Sequence, residues 1–206
     1  MIEVSLENEV LRLTLDRPDK ANALSETMLC DLAAAVGASQ PAAKVLVLTG
    51  RGRVFSAGAD LDDVQNGLAT SPAWEALSGA IARFNGLSIA ALNGTLAGGA
   101  FGMVLACDLR VAVAGARFFY PAIRLGVLPQ PSDPARLVRL VGPARAKMIL
   151  LAGQKIGTEE ALQWGLIDRV CAQESLLDMA MELAQAALDA DARRLQEIKQ
   201  MIDAAR

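Results

Sequence analysis

Residues 44–50, KVLVLTG, contain a continuous run of valine and leucine that ends at a threonine and a glycine. An apolar run without polar alternation is typical of a strand that is buried on both faces of a sheet. Two more segments, 88–92 and 109–113, are expected to form strands, with helical patterns between them. Strands that are separated by helices imply βαβ crossovers. The sequence therefore predicts an α/β fold with a largely parallel sheet.

The other segments predict short elements, with no internal repeat and no low-complexity linker. Residues 2–15 are expected to form a β-hairpin with its turn at 7–8, and Ser25 is expected to cap the helix that follows it. Four prolines predict a long loop over 121–134, and long loops in compact domains are often functional. Further helices are expected at 72–85, 100–107, 134–141, 143–152, 158–164, 173–189 and 191–204.

The composition excludes several classes of protein. Of the 206 residues, 53% are hydrophobic but 4% are aromatic, so the core of a single domain must consist mainly of aliphatic side chains. A net charge of −3 leaves no basic surface for a nucleic acid. The absence of histidine removes Ser-His-Asp triads and most zinc sites, and Cys30, Cys107 and Cys171 lack the spacing of a metal site. We therefore expect neither a metal nor a nucleic-acid partner.

The N-terminal residues and the apolar segments indicate where in the cell the protein is expected. The chain begins with an alternating strand pattern rather than with a basic segment and an apolar run, so no signal peptide is expected. The apolar stretch 101–116 is interrupted by Asp108 and Arg110, too early for a membrane span. These features predict a cytoplasmic protein without membrane contact.

Two glycine-containing turns are candidates for a binding site. The segment LAGGAFGMVLACD (96–108) runs from a glycine pair into an apolar helix and has no ionisable side chain before Asp108. The segment GRVFSAGADLDDV (52–64) follows the buried strand. A loop that begins a helix offers free backbone N–H groups, which suit a negative charge, and ligands of α/β sheets bind where strands end. The two turns therefore suggest an anion-stabilising site that lacks an evident acid or base.

In order and spacing, these segments resemble the crotonase (enoyl-CoA hydratase/isomerase) superfamily. The matching stretches are LDRPDKANALS (15–25), VLTGRGRVFSAGADLDD (47–63), NGTLAGGAFGMVLACDLRVA (93–112), FYPAIRLGVLP (119–129) and residues 136–170. The resemblance implies a ClpP-like spiral of ββα units, with a crotonase core at 1–170 and a shortened C-terminal helical region at 171–206. It implies an acyl-CoA thioester as substrate, coenzyme A as part of that substrate and no other cofactor. It also implies a homotrimer or a dimer of trimers.

The resemblance assigns an oxyanion hole to the backbone amides of Ala59 and Gly99. Preorganised N–H donors aimed at an enolate oxygen can each contribute about 3–4 kcal/mol. The contacts to coenzyme A and substrate are assigned to Lys20, Ala21, Ala23, Ala57, Ala59, Asp60, Leu61 and Gly98. Lys20 is compatible with a nucleotide phosphate and equally with an exposed loop lysine.

Three positions at which relatives keep a catalytic carboxylate have none here. The resemblance places these positions at Gly102, Ala122 and Gln130. A positioned acid or base contributes about 10²–10⁴-fold to a rate. We therefore expect that efficient hydration by the usual route does not occur.

Other side chains are candidates for moving a proton. Tyr120 comes first, Asp133 second and Glu75 third. The alternative for Tyr120 is a ring packed at the pocket edge, and the alternative for Asp133 is the N-cap of a helix that begins near Pro134. Arg124 and Ser132 are expected to line the same mouth.

Three functions remain open at this point. The first is an acyl-CoA enzyme that stabilises an enolate for isomerisation or decarboxylation. The second is a catalytically degenerate acyl-CoA-binding protein or a partner subunit of an active relative. The third is ordinary hydration with a recruited carboxylate such as Asp133.

Overall fold

In the computed structural model, which describes residues 1–205, the apolar run is the third strand of a six-stranded sheet. The strands are β1 (Ile2–Glu7), β2 (Val10–Leu15), β3 (Val45–Gly50), β4 (Val54–Ser56), β5 (Leu87–Leu92), β6 (Thr95–Ala97), β7 (Leu109–Val113), β8 (Arg117–Phe119), β9 (Ile156–Gly157) and β10 (Arg169–Cys171). The helices are α1 (Glu26–Ser39), α2 (Leu61–Gln65), α3 (Ala73–Ala82), α4 (Phe101–Leu105), α5 (Ala122–Leu125), α6 (Asp133–Leu150), α7 (Thr158–Trp164), α8 (Leu176–Asp189) and α9 (Ala192–Ala204).

The strands alternate between two sheets. The first sheet has the order β1-β2-β3-β5-β7-β10 and is parallel apart from the β1–β2 hairpin. The second has the order β4-β6-β8-β9, with β9 antiparallel to β8. From β3 to β8, each successive pair of strands contributes one strand to each sheet, and helices follow each pair; β9 and β10 are also divided between the sheets, with α7 between them. This arrangement is the α/β spiral of ββα units that the family resemblance implied.

The apolar runs bury as their patterns predict. Every residue of β3 except the terminal Gly50 is buried, and α8 lies against the sheet with Leu176, Ala180, Ala184 and Ala187 buried. The side chain of Lys199 in α9 donates to the carboxylate of Asp108 (2.7 Å) and to the carbonyl of Gly86 (2.9 Å). Both C-terminal helices are thus attached to the strand layer. Within residues 1–205, no helix combines the length and apolarity needed to cross a membrane.

Several local predictions were wrong. The hairpin turn is at 8–9, where both residues have positive φ (49° and 63°), the geometry of a tight hairpin turn. The helix expected at 100–107 is shorter, because a 3₁₀ turn at Gly98–Ala100 precedes α4. The expected loop at 121–134 contains α5. By contrast, the prediction of separate helices on either side of residue 142 is confirmed, because α6 is interrupted at Gly142, whose backbone is not helical (φ 79°, ψ 164°).

Candidate active site

The two glycine-containing turns lie against each other after β4 and β6. A Cβ at Gly58 would be 3.0 Å from the carbonyl oxygen of Ala97 and 3.4 Å from the Cα of Gly98. Gly58 and Gly98 also have positive φ, 97° and 56°, in a region that L-residues rarely adopt. Glycine at both positions therefore permits the contact that brings the two turns together.

The amide of Ala59 faces away from the loop that pairs with it. Leu24 N donates to the carbonyl of Gly58 (2.8 Å), and Asp60 N donates to the carbonyl of Leu24 (2.9 Å), which forms a parallel bridge between Leu24 and Ala59. Such a bridge uses the groups on either side of the middle residue, so the N–H of Ala59 points away from Leu24. Ala59 is half-buried.

The amide of Gly99 lies in the first turn of helical structure. Gly98–Ala100 form a 3₁₀ turn that leads into α4, and the first N–H groups of a helix have no acceptor within it. The indole of Trp74 covers Gly99, because a Cβ there would be 3.1 Å from its Cη2 atom. The indole N–H donates to the carbonyl of Leu68 (2.8 Å), which holds the ring.

Asn22, which sequence reasoning did not single out, joins the loop before α1 to the turn after β4. Its side-chain amide is fully buried and donates to the carbonyls of Arg51 (2.9 Å) and Val54 (2.8 Å). Its Oδ1 accepts from the backbone N–H of Arg17 (2.9 Å), and its carbonyl accepts from the hydroxyl of Ser56 (2.8 Å). The available sequence signal was an asparagine shortly after Pro18 and Asp19, because asparagine tolerates positive φ in turns, and Asn22 has a φ of 52°.

Apart from Gly98, which follows β6, the residues assigned to coenzyme A and substrate lie on the loop before α1 and the turn after β4, but they differ in environment. The N–H of Ala57 donates to the carbonyl of Ala21 (2.9 Å), so the two assigned stretches are adjacent. Lys20 and Ala57 are exposed, as is Leu61, whereas Ala21 and Ala23 are half-buried.

Asp60 is buried and has a structural task. Its carboxylate accepts from the Asp62 N–H (2.9 Å) as the N-cap of α2, and it also accepts from the Arg17 guanidinium. The hydrogen bond from Arg17 lowers the pKa of the Asp60 carboxyl.

Asp133 brings a carboxyl group into the interior next to α4. The residue is 1% exposed, and the Tyr120 hydroxyl donates to its Oδ2 (3.0 Å) while accepting from the N–H of Gln130 (3.2 Å). Within residues 1–205, the other carboxyl oxygen, Oδ1, is buried without a hydrogen-bond partner. A Cβ at Gly102 would lie 2.9 Å from this Oδ1 atom. The carboxyl of Asp133 thus stands beside a position to which the resemblance assigns a catalytic glutamate.

The environment of this carboxyl favours proton exchange near neutral pH. Burial raises the pKa of Asp133 to about 7; the hydrogen bond from Tyr120 and the charge of Arg136 lower it, and the charge of Glu75 raises it. Burial and the neighbouring carboxyl also raise the pKa of Tyr120, so its hydroxyl stays protonated. Asp133 therefore has the pKa of a general acid or base, whereas Tyr120 has that of a hydrogen-bond donor.

Asp133 is not the N-cap that one alternative predicted. It is the first residue of α6, and its side chain is directed to Tyr120. Tyr120 is buried and its ring packs at an angle on Phe101, with ring centroids 5.5 Å apart, which is compatible with the alternative of a packed ring.

The residues around Asp133 are tied to other elements. Oε1 of Glu75 accepts from the N–H (3.1 Å) and the hydroxyl (2.9 Å) of Ser132. Gln130 donates its side-chain amide to the carbonyl of Ala69 (3.1 Å), and Ala122 is buried at the start of α5. Arg124, also expected at the mouth, is exposed and donates to the carbonyl of Gly153 (2.9 Å).

Comparison with known proteins shows the family to which a chain with these paired turns belongs. Residues 5–206 match the family model for enoyl-CoA hydratase/isomerase. The chain belongs to the enoyl-CoA hydratase/isomerase family. Its fold is likewise that of solved family members: an enoyl-CoA hydratase subunit I from Geobacillus kaustophilus HTA426 is 36% identical with a TM-score of 0.90, over 99% of this chain and 81% of that chain.

Two curated relatives of this enoyl-CoA hydratase/isomerase homologue illustrate the activities found in similar proteins. The 2,3-dehydroadipyl-CoA hydratase of Escherichia coli K12 is 36% identical over 208 aligned positions, which cover 97% of this chain and 80% of that protein. The carnitinyl-CoA dehydratase of Citrobacter koseri is 37% identical over 183 positions, which cover 85% of this chain and 70% of that protein.

Proposed function

We propose that this enoyl-CoA hydratase/isomerase homologue moves a proton along an acyl-CoA thioester, with double-bond migration as its reaction. The amides of Ala59 and Gly99 hold the thioester oxygen as the enolate forms, and Asp133 carries the proton. The observation that supports this most directly is the buried Oδ1 of Asp133, which has no partner within residues 1–205 and lies beside Gly102. Coenzyme A binds along the loops that contain Lys20 and Asp60.

A single carboxyl is sufficient for this reaction. In a 3-enoyl thioester, the Asp133 carboxylate removes a proton from the α-carbon, and the electron pair of that C–H bond passes into a dienolate whose oxygen accepts from the two amides. The same proton then passes from Asp133 to the γ-carbon, which leaves the double bond between the α- and β-carbons. No atom is gained or lost. A pKa of about 7 suits a group that must both accept and return a proton.

The neighbouring positions favour migration over hydration. Addition of water needs one group to activate the water and a proton donor for the α-carbon, a task that two carboxylates share efficiently. Gly102, Ala122 and Gln130 provide no second carboxylate. Decarboxylation of a malonyl-type thioester also fits, because loss of CO₂ yields the enolate without a base and Asp133 then protonates it.

Hydration is the second candidate, because the relatives at 36% and 37% identity are named as a hydratase and a dehydratase. In that case Asp133 would act as both base and acid for one water molecule. Binding of acyl-CoA without turnover is the alternative from a different class of protein.

The test uses two substrates with opposite optical changes. But-3-enoyl-CoA gains absorbance when its double bond becomes conjugated with the thioester, whereas crotonyl-CoA loses absorbance when it is hydrated. We expect turnover of but-3-enoyl-CoA, lowered about 10²–10⁴-fold in Asp133→Asn. The exposed Asp31 of α1 provides the matched control, Asp31→Asn, which is expected to have wild-type turnover.

Fast hydration of crotonyl-CoA without migration would overturn the assigned reaction in favour of the hydratase. Decarboxylation of malonyl-CoA alone would replace migration by the enolate protonation described above. Tight binding of acetoacetyl-CoA with no turnover of any of these thioesters would establish the acyl-CoA-binding alternative.

A further inference from the structure

We infer that Glu75 is the positioning residue of the site, which holds Asp133 in place through two hydrogen bonds to Ser132. The inference rests on the proposed role of Asp133 as the proton carrier. Oε1 of Glu75, in α3, accepts from both the N–H and the hydroxyl of Ser132, at 3.1 and 2.9 Å. Ser132 immediately precedes Asp133, so the carboxylate of Glu75 fixes the backbone from which the Asp133 side chain projects.

The start of α6 lacks its usual local support. Ser132 occupies the N-cap position, where a serine side chain ordinarily accepts a hydrogen bond from the first turn, but here no such bond forms. Its hydroxyl donates to Glu75 instead. Pro131 and Pro134 flank the site and contribute no backbone N–H group. The contact with α3 therefore replaces the cap as the constraint on this helix end.

The adjacent residue of α3 contacts the other half of the site. Trp74 covers Gly99, whose amide is the proposed donor to the thioester oxygen, while Glu75 holds Ser132. Two consecutive residues of one helix thus lie against Gly99 and against the segment before the carboxyl. This arrangement sets the spacing between the oxyanion donors and the proton carrier, on which a proton transfer depends strongly.

Gln130 adds a second attachment on the same side. Its side-chain amide donates to the carbonyl of Ala69, which precedes α3, and its backbone N–H donates to the hydroxyl of Tyr120. The segment before Asp133 is therefore bonded to the segment before α3 as well as to α3 itself. Glu75 is the charged member of this set of contacts.

The charge of Glu75 has a separate effect on Asp133. The charged and titratable groups that act on the Asp133 carboxyl are Tyr120 after β8, Glu75 in α3 and Arg136 in α6. The negative charge of Glu75 raises the pKa of Asp133. Glutamine at position 75 would keep an oxygen acceptor for Ser132 but remove the charge, whereas alanine would remove both.

The test compares Glu75→Gln, Glu75→Ala and the control Glu182→Gln, which changes an exposed glutamate of α8. With but-3-enoyl-CoA, or the thioester that proves to be turned over, kcat and KM are measured across pH. We expect Glu75→Gln to keep kcat within about threefold and to shift the acid limb of kcat to lower pH, because removal of a negative charge lowers the pKa of Asp133. We expect Glu75→Ala to lose kcat about tenfold or more with a smaller change in KM, because the carboxyl is misplaced.

A readout without turnover accompanies the kinetics. The carboxyl ¹³C resonance of Asp133, assigned by its loss in Asp133→Asn, titrates at lower pH in Glu75→Gln than in the wild type. Equal kcat and equal titration in Glu75→Ala and wild type would overturn the positioning role. An equal loss of kcat in Glu75→Gln and Glu75→Ala, with no shift of the resonance, would overturn it in favour of Glu75 as a proton carrier.

The Asp133→Asn variant distinguishes failure of the proposed function from failure of the role inferred for Glu75. If Asp133→Asn keeps full turnover, Asp133 is not the proton carrier, whatever the Glu75 variants do. If Asp133→Asn is inactive and Glu75→Ala is unaffected, the role of Asp133 stands and only the role of Glu75 is refuted.

Discussion

Oδ1 of Asp133 lies 2.9 Å from the point at which a Cβ on Gly102 would be. Gly102 is on the short buried helix α4, and Asp133 reaches it from the start of α6. A carboxyl can occupy this space because position 102 has no side chain. The same space is where a side chain projecting from α4 would begin, so a glutamate at 102 and an aspartate at 133 exclude each other in this conformation.

Substitution of Gly102 by alanine tests this exclusion. We expect Gly102→Ala to displace the Asp133 carboxyl, to lower kcat at least about tenfold and to lower the melting temperature, because a contact under 3.0 Å forces a buried group to move. The measurements are kcat and thermal unfolding followed by circular dichroism.

Gly37 in α1 provides the control, since a Cβ there meets no atom within 4 Å. Gly37→Ala is expected to stabilise the protein by about 0.5–1 kcal/mol without a change in kcat. Wild-type kcat in Gly102→Ala would show that the Asp133 carboxyl does not act from this position.

Tyr120 donates one hydrogen bond to Asp133, and loss of this bond changes the pKa of Asp133 in a direction that can be predicted. The bond from the Tyr120 hydroxyl lowers the pKa of Asp133, so Tyr120→Phe raises that pKa. The acid limb of the kcat profile is therefore expected to shift to higher pH, opposite to the shift in Glu75→Gln. Measurement of kcat against pH distinguishes the two variants, and an unshifted Tyr120→Phe profile would contradict the bond as the source of the effect.

The parts of the fold that could be predicted are those encoded by local patterns. β3, β5 and β7 are mainly apolar segments of five or six residues, and Ser25 caps α1 by accepting from the N–H of Met28. The strands of the second sheet have two or three residues each, too few for a period to be read. Only the resemblance to a family implied that this sheet exists.

The two glycine-containing turns of the candidate site could be predicted from the sequence, but the geometry of its carboxyl group could not. Asp133 before a proline indicates a helix cap, which is a local reading. The structure directs the side chain elsewhere, because Glu75 takes the hydroxyl of Ser132 and Gly102 leaves room beside α4. These contacts join distant segments of the chain. A glycine at a position where relatives have a glutamate, together with a carboxylate in a later loop, was the available signal.

Asn22 is expected to be important for stability rather than for proton transfer. Asn22→Ala removes its buried hydrogen bonds and leaves the carbonyls of Arg51 and Val54 without these donors, which costs about 1–3 kcal/mol. Asn22→Gly removes the same bonds but tolerates the positive φ of 52° better, so it is expected to lose less. Urea denaturation measures the free energy of unfolding of both variants. Equal losses of stability would show that the positive φ at position 22 does not contribute to the difference.

Asp133 links the proposed chemistry to the stability of the protein. Burial raises its pKa in the folded state from the ordinary value of 3.8 to about 7, so the folded protein binds this proton more tightly than the unfolded chain does. This contribution to stability is fully present below pH 3.8 and is lost as the pH rises towards about 7. Above that pH, the folded protein contains a buried carboxylate whose Oδ1 has no partner within residues 1–205.

The substitution Asp133→Asn abolishes this dependence, because a side-chain amide at this position is neutral at every pH. The free energy of unfolding of the variant, relative to wild type, is expected to rise between pH 4 and pH 7 by an amount on the order of a few kcal/mol and then to level off. Urea denaturation at pH 5 and pH 8 measures this difference in the free energy of unfolding. Asp31→Asn is the control, and its difference from wild type is expected to be the same at both pH values. The variant Asp133→Asn is thus expected to gain stability relative to wild type between pH 5 and pH 8, while its turnover is lowered about 10²–10⁴-fold. A pH-independent difference would mean that Asp133 titrates at its ordinary pKa, and the single-carboxyl mechanism would lose its proton carrier at neutral pH.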